Sequence, residues 1–334
     1  MTNVLELRPN PTTKSNGIDK YCQSLRQMFE GNSDITILPI ENIPMRRTKL
    51  LKEIFDWKSL RELIKDKKVD VVHVNGYASF TVFQSLFYAA RYKKKIIYTA
   101  HWHPFEFLTH PQRAKLFFNI LIKPLVKRYV NVVVCLNKQD EAFFSAFHKR
   151  VVRIPHWCDM KIEESAKLTT KDPNMIMFVG RVNEENKGIE HLYELPEGKY
   201  NIHIVGAGER AWRSDMTHHF NISSEELGEL YSKASLVVVP SKYEAFSYAA
   251  LEALMHGTPV LLSDRVRIVD YVEGIKGIYI FEYHNYEEFN KKVELSIGSE
   301  VDKQTIISVF SIDRIRDQYK EMVVSIKAYN KKDI

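Results

Sequence analysis

The sequence predicts an α/β protein made of two domains, each a doubly wound parallel sheet. Three observations support this. The chain has 334 residues, which is long enough for two domains that each bury a core. Short apolar runs rich in β-branched residues alternate with longer amphipathic segments, the pattern of βα units. The alternation is interrupted by a polar stretch at 161–173 and then starts again.

Residues 1–155 form the first predicted domain. Its predicted strands are NVLEL, ITILPI, VDVVHV, KIIYTA, VNVVVCL and VVRIP, with helix-compatible sequence between them. Residues 156–310 form the second domain, whose predicted strands are MIMFVG, NIHIVG, SLVVVP, TPVLLS and GIYIFE. We therefore expect two Rossmann-like domains. Residues 311–334 have apolar positions at helical spacing and begin with Ser311 as an N-cap, which predicts a terminal helix.

Cysteine content and hydropathy indicate the compartment. The chain has three cysteines, Cys22, Cys135 and Cys158, which are widely spaced and form no CxxC pair. This distribution is typical of buried thiols in a reducing compartment. The first residues lack the pattern of a signal peptide, and the longest apolar stretch, 71–90, is interrupted by polar residues. We expect a cytoplasmic protein.

Charge is unevenly distributed between the two predicted domains. Residues 1–155 contain 26 Lys and Arg against 13 Asp and Glu, whereas the remainder contains 22 against 29. One interpretation is solubilising charge at helix ends. The other is a surface attracted to anionic lipid. Nucleic-acid binding is disfavoured because no nucleic-acid module or interleaved aromatic stripe accompanies the charge.

The run NIHIVGAGERA contains Gly206, Gly208 and Ala211 at the spacing of a dinucleotide-binding fingerprint. In dinucleotide-binding domains this motif follows the first strand. Here it follows a later strand of the second domain, and the first glycine of the chain, Gly17, is isolated. We therefore disfavour a dehydrogenase.

Two glutamates lie eight positions apart in the stretch from 227 to 264. Glu244 precedes a predicted helix that begins after Phe246 and ends near Gly257, and Glu252 lies within it. The first N–H groups of a helix lack intrahelical partners and lie at its positive end, so this N-terminus could bind a diphosphate. Glu252, two turns along, could reach a ribose. The alternative is a solvated helix face.

This stretch resembles the E-x7-E region of the retaining glycosyltransferases of family 4, whose usual form is PS-x-x-E-G-F-G-L-x-x-x-E-A-x-x-x-G-x-P-V. The matching positions are the PS pair, Glu244, Phe246, Glu252, Ala253, Gly257, Pro259 and Val260. Other segments resemble the family in the expected order over nearly the whole chain: SNGIDKY, DVVHVNG, YTAHWH, MFVGRVNEENKGIEHL, IPHWCD and FSIDRIRDQYKEM.

The resemblance implies a GT-B fold, with the donor in a cleft between the domains and the terminal helix crossing back to the first domain. It implies that Arg181 and Lys187 hold the donor diphosphate, that Glu244 positions the sugar and that His101 lies beside it. These four are the predicted catalytic residues. The predicted donor-binding residues are Asn16, Gly17, Gly180, Gly206, Phe246, Ser247, Tyr248, Ala249 and Glu252.

The function implied is retaining transfer of a sugar from a nucleotide-diphosphate sugar, UDP-sugar favoured over GDP-sugar, to a glycan or lipid-linked acceptor. We expect a role in cell-surface polysaccharide or glycolipid synthesis, with peripheral contact between the basic first domain and an anionic membrane surface. No Asp-x-Asp pair occurs, and the sequence near His101 and His103 offers no convincing carboxylate or cysteine partner, so we predict no metal and no cofactor. The alternatives are a nucleotide-sugar epimerase of the same fold and a non-catalytic sugar- or lipid-binding relative.

Several positions depart from the family pattern. The usual double glycine is Asn16-Gly17, E-G-F-G-L is E-A-F-S-Y, and Asn-Gly is His156-Trp157. Because some of these positions line the expected sugar pocket, the sequence leaves the donor sugar open.

Overall fold

The computed structural model describes residues 1–8, 17–38, 43–48, 52–101, 104–108, 110–157 and 170–328. The chain separates into two compact units. Unit 1 comprises Met1–Pro155 and Asp313–Ile334, and unit 2 comprises His156–Ile312. Asn16, His103, Cys158 and most of the polar stretch at 161–173 lie outside the described residues.

Unit 1 contains a six-stranded parallel sheet in the order β2-β1-β5-β6-β7-β8 and a separate hairpin, β3-β4. The strands are β1 (Thr2–Leu7), β2 (Ile35–Leu38), β3 (Met45–Thr48), β4 (Lys52–Phe55), β5 (Val71–Asn75), β6 (Lys95–Thr99), β7 (Val132–Cys135) and β8 (Val151–Arg153). The six strands predicted for the first domain all form this sheet.

The helices of unit 1 that precede unit 2 in the chain are α1 (Gly17–Met28), α2 (Trp57–Lys65), α3 (Phe80–Arg91), α4 (Pro111–Phe117), α5 (Lys123–Tyr129) and α6 (Lys138–Ser145), with a short 3-10 turn at Phe105–Phe107. A π-helical turn, Phe118–Ile122, joins α4 to α5, and the N–H of Lys123 donates to the carbonyl of Phe118. Pro124 has no N–H to continue the α-helical pattern, which accounts for the wider turn.

The β3-β4 hairpin was not among the strands predicted from the sequence. Its two strands have four residues each and are rich in charge, so they show no apolar run. Gln84 fastens the hairpin to α3 because its side chain makes two hydrogen bonds to the main chain of Phe55, of 3.0 and 2.9 Å. Tertiary contacts therefore define this element.

Unit 2 contains a second six-stranded parallel sheet in the order β11-β10-β9-β12-β13-β14. Its strands are β9 (Met175–Val179), β10 (Asn201–Val205), β11 (Met216–His219), β12 (Leu236–Val239), β13 (Val260–Ser263) and β14 (Ile278–Phe281). Its helices are α7 (Ser224–Lys233), α8 (Tyr248–Met255), α9 (Val269–Val272), α10 (Tyr286–Ser296) and α11 (Lys303–Phe310), with 3-10 turns at Glu185–Lys187 and Ile189–Glu194. The five strands predicted here are confirmed, and β11 is an additional edge strand.

The last helix, α12 (Ile312–Ala328), packs in unit 1. Tyr319 lies 2.9 Å from Nδ1 of His73 on β5, and Lys327 donates to Thr2 on β1 at 3.0 Å. The terminal helix predicted from residues 311–334 is therefore present, and it belongs to the unit formed by the first 155 residues. In the described part of the chain, no helix is both long and apolar enough to cross a bilayer.

The sheet of unit 2 has a buried core on each face. In β9, Ile176 and Phe178 belong to one apolar cluster, whereas Met175 and Met177 belong to the other. In unit 2 the strand order reverses between β9 and β12, so the chain leaves these neighbouring strands in opposite directions. Such a reversal opens a crevice at the carboxyl ends of the strands, the usual ligand position in doubly wound sheets.

Candidate functional site

The candidate site lies at the carboxyl ends of β9 and β12. Gly180 and Arg181 directly follow β9, and the 3-10 turn that ends at Lys187 follows them. Ser241 and Glu244 follow β12, and this segment leads to α8. The strand reversal therefore brings together two segments separated by more than fifty residues.

Two glycines allow the main chain to approach closely at this edge. Gly188 has φ 65°, and a Cβ there would lie 1.8 Å from the carbonyl oxygen of Pro240. Gly206 has φ 152°, and its Cβ would lie 1.9 Å from the carbonyl oxygen of Gly180. Any side chain at either position would force the loops apart, so glycine is required here.

Lys187 and Glu244 form an ion pair at the centre of the site. Nζ of Lys187 lies 2.6 Å from Oε1 of Glu244, and their side chains are 23% and 15% exposed. The hydroxyl of Ser241 also donates to Oε1 of Glu244, at 2.8 Å. Burial opposes ionisation of Glu244, but Lys187 together with hydrogen bonds from Lys187, Ser241 and Ser247 lowers its pKa below the usual value. Glu244 is therefore a fixed carboxylate and a poor proton donor.

The main chain around Glu244 is also fixed. Its N–H donates to the carbonyl of Arg265 at 3.2 Å, and its carbonyl accepts from the N–H of Arg267 at 2.9 Å. The side-chain amide of Asn186 donates to the carbonyl of Tyr243 at 2.9 Å. The Asn186 bond ties the turn that carries Lys187 to the segment that carries Glu244, and the other two bonds fix Glu244 to the 265–267 segment.

The N-terminus of α8 adjoins this pair. Ser247 is the N-cap, and its hydroxyl accepts from the N–H of Ala250. Since the buried Ser247 hydroxyl also helps to lower the pKa of Glu244, the carboxylate lies beside the helix N-terminus. Phe246 and Tyr248 both pack on His156, whose ring centroid lies 4.9 Å from that of Phe246 and 4.5 Å from that of Tyr248. The half-buried Ala249 follows in the first turn.

Glu252 lies on α8 and makes a separate contact. Its Oε2 accepts from the hydroxyl of Tyr231 at 3.1 Å, and the Tyr231 ring stacks on His256 at 5.6 Å. The hydroxyl of Tyr231 thus orients the carboxylate of Glu252. Glu244 and Glu252 have different hydrogen-bond partners and can serve different parts of a ligand.

Arg181 is placed differently from Lys187. Its side chain is 56% exposed and its guanidinium lies 2.8 Å from Oε1 of Glu184. Exposed ion pairs of this kind contribute roughly 0 to 1 kcal/mol, so the guanidinium can exchange Glu184 for another anion at little cost.

His101 belongs to unit 1 and follows β6. It has φ 44°, a left-handed conformation uncommon outside glycine, and its side chain is buried. Its Nε2 lies 3.2 Å from Oδ1 of Asn75, the last residue of β5, and its ring meets Tyr21 edge-on at 5.0 Å. Among the described residues, Nδ2 of Asn75 has no hydrogen-bond partner. Gly17 is the exposed first residue of α1.

Comparisons with known proteins identify the family of this chain. The sequence model described as Glycosyl transferases group 1 matches residues 160–308, and the one described as Glycosyltransferase Family 4 matches residues 19–161. Together they span most of the chain. The chain belongs to the family 4 glycosyltransferases.

Individual relatives of this glycosyltransferase are distant. An uncharacterised 41.2 kDa protein of the cps region of Klebsiella pneumoniae is 22% identical over 70% of this chain and 70% of its own length. The alpha-galactosylglucosyldiacylglycerol synthase of Streptococcus pneumoniae is 26% identical over 59% of this chain and 61% of its own. The structure of Anabaena HepE, solved with UDP and glucose, matches with a TM-score of 0.70 at 14% identity, covering 97% of this chain and 100% of that one. The GT-B fold is thereby confirmed.

The structure brings together some of the residues that the resemblance assigned to this glycosyltransferase. Lys187 and Glu244 are directly paired, and Phe246, Ser247, Tyr248 and Ala249 lie at the adjoining helix N-terminus. Gly180 and Gly206 meet through their main chains. Arg181 follows the same strand but is paired with Glu184, and Asn16 lies outside the described residues.

Other participants were not identified from the sequence. Ser241 bonds Glu244, Asn186 holds the Lys187 turn, Tyr231 orients Glu252 and Asn75 contacts His101. Ser241 belongs to the PS pair of the family pattern, which was the available signal. Asn75 ends the run VDVVHVN, so its position at a strand end was also visible. Asn186 and Tyr231 gave no signal because only the folded chain brings them to the site.

Proposed function

We propose that this glycosyltransferase moves a sugar from a nucleotide-diphosphate sugar, with UDP-sugar favoured over GDP-sugar, to a glycan or lipid-linked acceptor with retention of anomeric configuration. The observation that carries the proposal is the Lys187–Glu244 ion pair beside Ser247, the N-cap of α8. It places a fixed cation, an ionised carboxylate and a helix N-terminus together.

The cation and the helix N-terminus suit a diphosphate leaving group. When the bond between the anomeric carbon and the phosphate oxygen breaks, negative charge develops on the diphosphate. Lys187, the positive end of α8 and a redirected Arg181 would stabilise that charge. Fixed positive groups can supply the stabilisation that a divalent ion gives elsewhere, so we propose that transfer needs no metal.

Glu244 is proposed to bind the sugar of the donor. As a carboxylate held by Lys187 and Ser241 it can accept a hydrogen bond from a sugar hydroxyl and position the ring. We assign it this role rather than that of nucleophile. The acceptor hydroxyl oxygen then bonds to the anomeric carbon on the face that the diphosphate leaves, and its proton passes to the departing phosphate oxygen. The products are the glycoside and the nucleoside diphosphate.

The remaining assignments concern the nucleotide and the sugar. Glu252, oriented by Tyr231, is proposed to accept hydrogen bonds from the ribose hydroxyls. His101, held by Asn75, is proposed to contact the transferred sugar. The preference for a UDP-sugar is supported by Anabaena HepE, which was solved with UDP and glucose.

The acceptor is proposed to be glycan or lipid-linked, in the synthesis of cell-surface polysaccharide or glycolipid. Support comes from the name of the pneumococcal relative, a synthase of a galactosylglucosyldiacylglycerol, and from the basic charge of residues 1–155. We propose that the protein works in the cytoplasm as a peripheral protein at the inner face of the membrane.

The proposal is tested by turnover with a panel of UDP- and GDP-sugars, glycosyl-diacylglycerol acceptors and excess chelator. We expect one UDP-sugar to give a glycoside whose anomeric configuration, measured by NMR, matches that of the donor. An inverted product would refute retention, and a requirement for added metal would refute metal independence. Conversion of the donor to another sugar without acceptor would identify an epimerase, and donor binding without any product would identify a non-catalytic relative.

A further inference from the structure

The helix that runs through α4, the π-helical turn and α5 has two large aliphatic side chains exposed to solvent. Leu116 is 62% exposed and Ile120 is 61% exposed. They lie four positions apart, so they occupy one side of the helix. We call this element the 111–129 helix. Two adjacent exposed aliphatic residues on one helix indicate an interaction surface more strongly than isolated ones do.

The charged residues of the 111–129 helix are all positive. It contains Arg113, Lys115, Lys123, Lys127 and Arg128, and the sequence has no Asp or Glu between positions 106 and 140. All five except the half-buried Lys123 are exposed. Among the described residues, the side chains of Arg113, Lys115 and Lys127 form no ion pair. The surface therefore combines exposed aliphatic side chains with uncompensated positive charge.

The opposite side of the helix is anchored in unit 1. Phe118, Ile122 and Val126 are completely buried, and the ring of Phe118 stacks on that of Tyr77 at 5.4 Å. The helix is thus held by its apolar core face. Its exposed side can meet a partner without any rearrangement.

We propose that the 111–129 helix is the surface through which the protein binds an anionic phospholipid bilayer. A basic helix with an exposed aliphatic side lies along a membrane interface, where its apolar residues enter the acyl boundary and its cations meet anionic headgroups. A symmetric contact with a second copy is disfavoured because it would bring two positively charged faces together. The inference rests on the proposed function, because a lipid-linked acceptor requires the enzyme to work at a bilayer.

The test is flotation of the full chain with vesicles of phosphatidylglycerol and phosphatidylcholine, compared with vesicles of phosphatidylcholine alone. We expect binding to the anionic vesicles that weakens as salt is raised. The double variant Leu116→Ser, Ile120→Ser should bind the anionic vesicles at least about 10-fold more weakly than the wild type. The triple variant Arg113→Gln, Lys115→Gln, Lys127→Gln should lose the preference for anionic lipid. Leu295→Ser removes a side chain in unit 2 that is 59% exposed and should bind like the wild type.

Thermal melting by circular dichroism and calorimetric UDP binding are measured on every variant. Both should be unchanged, since the altered side chains are exposed and lie outside the nucleotide site. The proposal is overturned if the wild type binds neither vesicle, if the Leu116/Ile120 variant binds as well as the wild type, or if light scattering shows a dimer that this variant dissociates. If the protein binds vesicles but no nucleotide, the proposed function is refuted, whereas the membrane-binding role of the 111–129 helix is supported.

Discussion

The ammonium group of Lys187 lies 2.6 Å from the carboxylate of Glu244, although 56 residues separate them in the chain. The contact depends on the reversal of strand order between β9 and β12, which directs both segments to one edge of the sheet. The pair has two consequences. It keeps Glu244 ionised, and it holds a cation beside the N-terminus of α8.

Replacing Lys187 by alanine should slow sugar transfer. Loss of one group that stabilises the leaving diphosphate costs about 2 to 4 kcal/mol of barrier, roughly 30- to 1000-fold in kcat. Arg181→Ala should cost less, because that guanidinium starts from an exposed pair with Glu184. Initial rates at saturating donor measure the loss of kcat in each variant. A larger loss in the Arg181 variant would mean that the cation roles are reversed.

Glu244→Gln should lower kcat more than it weakens donor binding. The amide keeps the size of the side chain and can still accept from Ser241, but it loses the charge that pairs with Lys187. Steady-state rates and calorimetric donor affinity separate the two effects. Because Lys187 contributes to the lowered pKa of Glu244, Lys187→Ala should also shift the acid limb of the pH–rate profile to higher pH. An unchanged limb would show that Glu244 ionisation does not control that limb.

Glu252→Ala should weaken nucleotide binding before it affects turnover at saturating donor. The carboxylate is proposed to hold the ribose, so the dissociation constant for UDP should rise about 10-fold or more. Tyr231→Phe is the control, since it removes only the hydroxyl that orients Glu252 and should have a smaller effect. Equal UDP affinity in the wild type and the Glu252 variant would contradict the ribose assignment.

Gly188→Ala should both destabilise the protein and reduce activity. A left-handed alanine costs roughly 1 to 2 kcal/mol, and here its Cβ would also lie 1.8 Å from the carbonyl oxygen of Pro240, so the turn carrying Lys187 must move. Gly198→Ala is a matched control, because Gly198 has φ 75° and no atom within 4 Å of the added Cβ. Urea unfolding and turnover should show a larger loss for Gly188. Equal losses would mean that the close approach to Pro240 is unimportant.

Glu6 in unit 1 should make stability fall as pH rises toward neutrality. Burial raises its pKa from 4.5 to about 7, against the opposing effects of Cys22, Arg26 and Arg8. The folded state therefore holds a proton that the unfolded state has released, and stability is lost as pH rises from about 4.5 to 7. Glu6→Gln mimics the protonated form and should be more stable than the wild type at pH 8, by up to about 3 kcal/mol.

The contribution of His73 to stability changes with pH in the opposite direction. Burial, together with the nearby His101, lowers its pKa from 6.5 to about 3, so its contribution to stability is lost as pH falls below 6.5. In Glu6→Gln, the free energy of unfolding should therefore rise with pH between about 3 and 6.5, with no later fall from Glu6. Urea unfolding from pH 4 to 8 measures both slopes, with the exposed Glu62→Gln as control. A Glu6 variant with the wild-type pH profile would show that this carboxyl is ionised in the folded protein.

Much of the fold could be predicted because parallel strands are buried on both faces and appear as continuous apolar runs. All eleven predicted runs are strands, and Ser247 and Gly257 mark the ends of α8 as capping chemistry requires. The edge strand β11 and the hairpin strands β3 and β4 were missed. The residues of β11, Met216–His219, include two histidines, and β3 is rich in arginine, so neither shows an apolar run.

The residues of the site could be predicted only in part. The motif named Lys187, Glu244 and Glu252, but it could not show which side chains contact one another. The pairing of Arg181 with Glu184 and the contact of Glu252 with Tyr231 depend on loop and helix geometry that local spacing does not encode. The left-handed conformation of His101 likewise depends on tertiary packing, since histidine has only a weak preference for it.

We propose that the edge of the sheet in unit 2 binds a nucleoside diphosphate through Lys187, Glu252 and the N-terminus of α8. Calorimetric titration of the full chain with UDP, GDP and ADP, in the presence of chelator, measures this binding. We predict micromolar binding of UDP, weaker binding of the other two, and loss of UDP binding in the Lys187→Ala, Glu252→Ala double variant. Failure of a folded sample to bind any of the three nucleotides, or undiminished binding by the double variant, would show that this edge of the sheet is not the nucleotide site.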